Sequence, residues 1–281
     1  MPKQTRFQQI LAAFGKAACY ALLFIGIQLF VSFAAALIEG IRTGLSGAAG
    51  PDASAEMVEN LLANTSLITL ISNALTLLLL LPVFAAQKKS YGREISLFPL
   101  LPGAVWPLAI GALCLSAVVS LLLTLLPIPE DIMADYVEAA ASLETPGLIS
   151  ALSTVLFAPI AEEVIFRGLV YTRLRRAMPA WLACVLASLV FAVLHGQLLW
   201  IAYAFLMGVA LTLMFERTGT LWSSILVHIT FNLAGTYLVQ YLPGSPLILL
   251  LGIFGIAAAW HWLTRVYPPR LTWCSAHSHK K

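Results

Sequence analysis

Charge is what this sequence has least of. Only 10% of its 281 residues are Asp, Glu, Lys or Arg, against 60% apolar, whereas a soluble domain carries about 25% charged residues on its surface. A chain so poorly charged cannot be solvated by water over most of its surface, which excludes a soluble globular enzyme and points to lipid. The net charge of +3 is too small to argue for a nucleic-acid partner. Cysteine is scarce as well. Cys19, Cys114, Cys184 and Cys274 have no metal-ligand spacing and three of them fall in apolar runs, so they read as small buried hydrophobes. There is no glycine-rich phosphate loop and no serine in a nucleophile-elbow pattern, which removes the usual signatures of nucleotide binding and serine hydrolysis.

What the sequence does have is long apolar runs. A hydrocarbon core about 30 Å thick needs ~20 apolar residues in a helix. Eight stretches approach that length: 17–38, 67–86, 103–126, 148–171, 179–195, 198–215, 221–241 and 245–263. The expected fold class is therefore an all-α polytopic membrane protein with about eight transmembrane helices. The fifth and sixth stretches are short and separated only by Gly196 and Gln197. They predict a hairpin whose tip stays low in the membrane or in a protein-lined cavity. The first run is longer than the roughly 7–15-residue core of a signal peptide, so an uncleaved first span is expected.

Cytoplasmic loops are enriched in Lys and Arg. If the eight spans alternate, Lys3, Arg6, Lys16, Lys88, Lys89, Arg93, Arg173, Arg175, Arg176, Arg217, Arg265, Arg270, Lys280 and Lys281 all fall on one side. Both termini are then cytoplasmic, as suits a multi-pass protein of a bacterial inner membrane. Only Arg42 lies opposite, among Glu39, Asp52, Glu56, Glu59, Glu130, Asp131, Asp135, Glu138 and Glu144. In the acidic segment 129–147, Ile132, Met133, Tyr136, Val137 and Ala140 recur at roughly helical spacing. That pattern fits a helix along the outer interface and a solvated loop helix equally.

Ionisable residues inside a span are costly and point to function. Span four carries Glu162, Glu163 and Arg167, span five ends at His195, and span seven carries His228 and Asn232. Glu163 and Arg167 are four apart and share a helix face, with Glu162 about 100° away round the helix. One carboxylate can be neutralised by the arginine while the other exchanges a proton, and spacing alone does not choose between them. His228 and Asn232 also share a face. Pro159, one turn before Glu162, allows a local opening, and Gly168 allows a close helix approach. The set suits hydrolysis: a carboxylate takes a proton from water, a histidine holds that water, and a second His with an Asn donates to the oxyanion. Asn73 is expected to bond between helices, Trp106, Trp200, Trp222 and Trp262 to form an interfacial belt, and Phe166 and Tyr171 to pack. His277 and His279 belong to a polar tail.

Glu162-Glu163-x-x-x-Arg167, Phe191-x-x-x-His195 and His228-x-x-x-Asn232 resemble the three motifs of the CPBP family. That family groups CAAX-type intramembrane endopeptidases with bacteriocin-processing and self-immunity proteins, and is also called the Abi family. The chain then divides into residues 1–102, with two membrane helices and a cytoplasmic loop, and 103–281, with helices three to eight and a catalytic core at 148–241. The resemblance implies an intramembrane endopeptidase with a cavity opening toward the cytoplasm. It implies that Glu162 and His195 activate water, that His228 and Asn232 stabilise the oxyanion, and that Glu163 and Arg167 orient and charge-balance the site. The partners implied are membrane lipid and a peptide or protein substrate.

No cofactor is expected. Zinc is the alternative, but the histidines sit on different helices and Arg167 would repel a dication. An ion- or proton-coupled transporter, or a non-catalytic immunity or scaffold protein on the same fold, would draw on the same residue types. One tension concerns depth. At ~1.5 Å per residue from the cytoplasmic end, His228 lies roughly 10 Å deep, Glu162 roughly 15 Å and His195 roughly 22 Å. A tilted or raised fifth span is needed to bring them together.

Overall fold

The computed structural model describes residues 5–46, 50–143 and 147–268. Lys3, Glu144, Arg270, Cys274, His277, His279, Lys280 and Lys281 lie outside them. Among the described residues the regular elements are all helical: α1 (Arg6–Leu45), α2 (Pro51–Ala63), α3 (Thr65–Ala86), α4 (Tyr91–Glu94), α5 (Pro102–Leu125) and α6 (Glu130–Leu143) come first. They are followed by α7 (Leu148–Arg175), α8 (Ala180–Val193), α9 (Leu198–Thr218), α10 (Leu221–Tyr237), a short turn at Val239–Tyr241, and α11 (Pro246–Val266). Local chemistry marks the ends. Thr5 and Gln8 form a capping box at the start of α1. Thr220 and Ser245 accept amide hydrogen bonds at the starts of α10 and α11, and Gly219, at φ 72°, ends α9.

Each of the eight apolar stretches is helical, but among the described residues six helices (α1, α3, α5, α7, α9 and α11) are long and apolar enough to cross a membrane. The 14 residues of α8 reach only about 21 Å and the 17 of α10 about 26 Å, less than the roughly 30 Å required. The hairpin expected at 196–197 is present between α8 and α9. Its turn includes Gly196 at φ 80°, a conformation glycine adopts freely. Opposite in character is α1, whose 40 residues extend about 60 Å, far beyond the stretch 17–38.

The central element is α7, which packs against α1, α3, α8, α9 and α10. Its middle is almost fully enclosed, with Ile165, Phe166, Leu169 and Val170 all at most 2% exposed. Tyr171 and Phe166 are both packed in the core, and Phe166 also borders a hollow beside Glu162. The outward surfaces carry Phe30, Phe33, Phe254 and Trp262, all more than 60% exposed, as a lipid-facing surface requires. Cys184 is buried and Cys114 partly so, but Cys19 is exposed. The buried reading fails at Cys19 because α1 turns that side away from the bundle. Asn73 accepts from Gln28 Nε2 of α1 at 3.2 Å, the interhelical bond expected of it.

Two glycines set close approaches. A Cβ on Gly168 would stand 3.0 Å from Ile95 Cβ, and one on Gly208 would stand 2.9 Å from Ser188 Cβ. Gly208 therefore lets α9 lie directly on α8. At the basic end, Arg173 pairs with Glu94 at 2.6 Å and Arg175 with Glu216 at 3.1 Å; Glu216 also accepts from the Tyr171 hydroxyl. The two acids of that face are thus committed to its arginines. Tyr91 packs beside Phe84 there, and burial pushes its phenol up to about 12. At the other end, α6 turns Tyr136 inward against Trp200 and Tyr203 of α9, with ring centroids 6.2 Å apart in both pairs.

Candidate active site

Most of α7 is not an α-helix. Residues Leu152–Phe157 and Glu163–Tyr171 are π-helical, flanking a short α-helical piece Ala158–Glu162. Wide turns of this kind appear where a helix is opened for function, and here Pro159 explains the first. The amide of Ala158 reaches Ser153 O, five residues back. Continuing that series, residue 159 would reach Thr154 O, but proline has no N–H to offer. Asn232 supplies the bond instead, its Nδ2 donating to Thr154 O at 2.9 Å across from α10. Asn232→Ala should therefore lower stability by about 1 kcal/mol, the net worth of one hydrogen bond, since the Thr154 carbonyl loses its donor at the cavity wall. Pro159→Ala on the Asn232→Ala background should restore part of that loss by returning an amide to the helix. A thermal-unfolding double-mutant cycle measures the coupling, and strictly additive losses would contradict this account.

The second wide stretch begins at Glu163 and turns it and Arg167 wholly inward. Glu163 is 0% exposed and its Oε1 accepts from Arg167 Nη1 at 2.7 Å. The same oxygen accepts from His228 Nδ1 at 2.8 Å. Arg167 also donates through Nη2 to Gly208 O at 3.2 Å, and its guanidinium carbon lies 4.4 Å from the Phe191 ring centroid. The carboxylate and the arginine are each held from two sides. Glu162 is not: its side chain is 20% exposed, and its Oε2 stands 3.7 Å from His228 Nε2, beyond hydrogen-bond reach. Geometry thus separates the two glutamates that spacing left equivalent. Glu163 is the fixed partner, and Glu162 faces open space.

That space is a cavity of about 420 Å³ bordered by Glu162, His195, His228 and Asn232. The short α8 delivers His195 to it, so the depth tension resolves: Phe191 lies between the two histidines, its ring centroid 4.9 Å from His195 and 6.0 Å from His228. His195 Nδ1 contacts Phe191 O at 3.1 Å. A carbonyl only accepts, so Nδ1 carries the proton and Nε2 is left to the cavity. By the same reasoning His228 gives its Nδ1 proton to Glu163, a carboxylate–histidine pair that fixes the ring. All six motif residues are brought together. Among the described residues, no three His, Cys, Asp or Glu side chains gather as a metal-ligand set, and the Glu163 oxygen that faces His228 is already held by Arg167.

Sequence reasoning missed several wall residues. The sequence places Trp200 in an interfacial belt; in the structure its ring lies 5.9 Å from that of His195 and borders the cavity with Tyr136 and Tyr203. Its position at a helix start suggested a belt, and only the dipped hairpin turns it inward. A second hollow of about 350 Å³ runs from Glu162 and His195 outward between α1 and α8, past Phe24, Ile25, Leu29 and Leu194. Leu29 is 66% exposed and Leu194 41%, so this groove reaches the lipid-facing surface.

The cavity mouth also has a definite side. Its borders run from Glu162 and His228 to Ser66 at the start of α3, Leu123 near the end of α5, Tyr136 and Ala140 of α6, and Thr236 near the end of α10. These are the helix ends joined by the acidic loops. If the basic loops are cytoplasmic, as the sequence leads one to expect, this end of the cavity lies on the opposite side. The cytoplasmic opening implied by the resemblance and the basic-inside orientation are incompatible in this structure.

Residues 144–234 match the family described as type II CAAX prenyl endopeptidase Rce1-like, which bears out over that segment the resemblance drawn from the three motifs. The UPF0177 protein YbdI of Lactococcus lactis is 39% identical over 80 residues, covering 28% of this chain and 42% of that protein. An uncharacterized 24.3 kDa protein of Escherichia coli is 33% identical over 101 residues, 34% of this chain and 46% of that one. A Bacillus subtilis protein named "Putative membrane peptidase YdiL" is 28% identical over 74 residues, 26% of this chain and 30% of that one. The matches therefore span less than half the length of each of these relatives. No solved structure matches this chain.

Proposed function

We propose that this chain, similar over residues 144–234 to the Rce1-like endopeptidases, is an intramembrane endopeptidase in which Glu162 and His195 activate water. The observation that carries the reading is the inequality of the paired glutamates: Glu163 is enclosed and doubly bonded, whereas Glu162 borders the cavity. A free carboxylate in a hollow beside two histidines is a general base in search of a proton.

In this reading a water molecule sits between the Glu162 carboxylate and His195 Nε2. Glu162 takes its proton as the oxygen attacks the peptide carbonyl carbon. The carbonyl π electrons move to its oxygen, and the imidazolium form of His228 donates to that oxyanion from Nε2, backed by Glu163. Asn232 keeps one amide proton on Thr154 and has a second for the cavity. The tetrahedral intermediate then collapses, the C–N bond breaks, and the proton held by Glu162 passes to the leaving amine. We assign the protein to a bacterial inner membrane with its basic loops inside.

A library of quenched fluorescent peptides, incubated with protein purified in detergent, tests the chemistry. Cleavage that persists when a strong chelator is added, and vanishes in His195→Ala and His228→Ala, is the expected result. Loss on chelation that added zinc restores would overturn the metal-free mechanism. Unchanged activity in both histidine variants would overturn the site.

A further inference from the structure

We infer that the catalytic cavity receives its substrate from the side of the membrane opposite the basic loops, and that the bond cut lies in the juxtamembrane stretch of a membrane-anchored polypeptide on that outer side. The inference rests on the peptidase reading for its chemistry, but the side is fixed by geometry and charge alone.

The geometry is one-sided. From His228 outward, the cavity borders ascend through Asn232 to Thr236 on α10, and through Ser116 to Leu123 on α5. The mouth lies beside α6, whose Tyr136 and Ala140 form part of its border. In the opposite direction the path is filled. Val164, Ile165, Phe166 and Leu169 are at most 3% exposed, and Arg167 donates to both Glu163 and the Gly208 carbonyl. Below them come the Tyr171–Glu216–Arg175 and Arg173–Glu94 contacts. The two cavities that border Glu162 here extend toward α6 and between α1 and α8, and none of their bordering residues lies at that end.

The charge is equally one-sided. Beside the mouth, α6 exposes Glu130, Asp131, Asp135 and Glu138 and carries no basic residue. Arg42, the one base on this face, is bonded to Glu39 at 2.6 Å. At the sealed end lie Lys88, Lys89, Arg93, Arg173, Arg175, Arg176, Arg217 and Arg265. Basic loops stay in the cytoplasm, so the sealed end is inner and the mouth is outer.

The shape of the two hollows defines the substrate. The outer part of the groove between α1 and α8 is apolar at Phe24, Ile25, Leu29 and Leu194 and reaches the outward surface at Leu29 and Leu194, with Gln28 and Asn73 deeper in, whereas the main cavity carries the hydroxyls of Ser66, Ser120 and Thr236. The two share Thr69, Glu162, Phe191, Leu194 and His195. A chain with its apolar anchor in the bilayer and its polar continuation leaving on the outer side fills both and presents its junction to Glu162.

Two measurements in intact cells test this. Single added cysteines, Glu138→Cys beside the mouth and Lys89→Cys at the sealed end, are exposed to a membrane-impermeant maleimide, with the unsubstituted protein as background. We expect Glu138→Cys to label in intact cells and Lys89→Cys only after permeabilisation; the reverse pattern overturns the inference. Reporter fusions with one transmembrane anchor then carry the same cleavable linker on the inner or the outer side. Cleavage of the outer linker alone, absent with Glu162→Gln, is expected, and cleavage of the inner linker alone overturns the inference. Should neither be cut, the labelling still decides the side, while the detergent peptide assay separately decides whether the protein is a peptidase.

Discussion

Glu162→Gln lowers peptide hydrolysis by about 10²- to 10⁴-fold, the usual worth of a general base, and leaves the thermal midpoint nearly unchanged. The amide keeps the size of the side chain but cannot accept a proton. Stability is spared because Glu162 makes no close bond in the fold: its nearest charged neighbour is His228 Nε2 at 3.7 Å, and the side chain borders an open cavity. Initial rates on one fluorogenic peptide, with melting followed by circular dichroism in the same detergent, check both halves. A variant that retains wild-type rates would remove Glu162 from the chemistry. A variant that melts far lower would mean that Glu162 holds the bundle together, and its loss of activity would carry no mechanistic weight.

The mirror-image result is expected at the buried Glu163–Arg167 pair. Arg167→Leu destabilises the protein by about 3–5 kcal/mol, the cost of leaving one member of a buried ion pair uncompensated. The fully enclosed Glu163 would lose its 2.7 Å partner, and Gly208 O and the Phe191 ring would lose theirs. Arg167→Lys repairs the charge but not the planar fork, which reaches the carboxylate and the carbonyl together, so it recovers only part of the loss. The informative variant is the double change Arg167→Leu with Glu163→Gln. It removes both charges and should regain most of the stability, yet remain inactive, because His228 Nδ1 no longer has a carboxylate behind it. Recovery of activity along with stability would show that Glu163 serves only to neutralise the arginine.

Much of this was legible in the residues, for identifiable reasons. Hydrocarbon permits few polar groups, so the six that meet around the cavity stand out in a nearly bare background, and the eight apolar stretches are all helical. Pro159 announced an opening because its missing amide is a local property. Other features required the partner in space. Trp200 reads as an interfacial anchor until the short α8 carries its neighbour His195 inward. Thr154 has no chemical signature at all, since it is its carbonyl that Asn232 meets. The difference between Glu162 and Glu163 is a matter of helix phase, and the π-helical turns from Glu163 onward shift that phase away from the α-helical count used on the sequence. The exposure of Cys19 likewise depends on which side α1 turns outward, and α1 is apolar on nearly every side.

The wide turns of α7 also bear on how this segment tolerates changes in length. A deletion within an ordinary α-helix buried on all sides rotates one half against the other by about 100° and usually disrupts both. The stretch Glu163–Tyr171 already carries surplus residues in its turns, so it can lose one and tighten into an α-helix without breaking the chain of backbone bonds. What it cannot keep is aim. The Glu162–Glu163 pair and the Arg173–Arg175 end lie on either side of that stretch, each tied to a different neighbour. A shortened α7 that stays bonded to Glu94 and Glu216 at one end would turn its glutamates away from His228 at the other, giving a protein that inserts and folds with its catalytic groups out of phase.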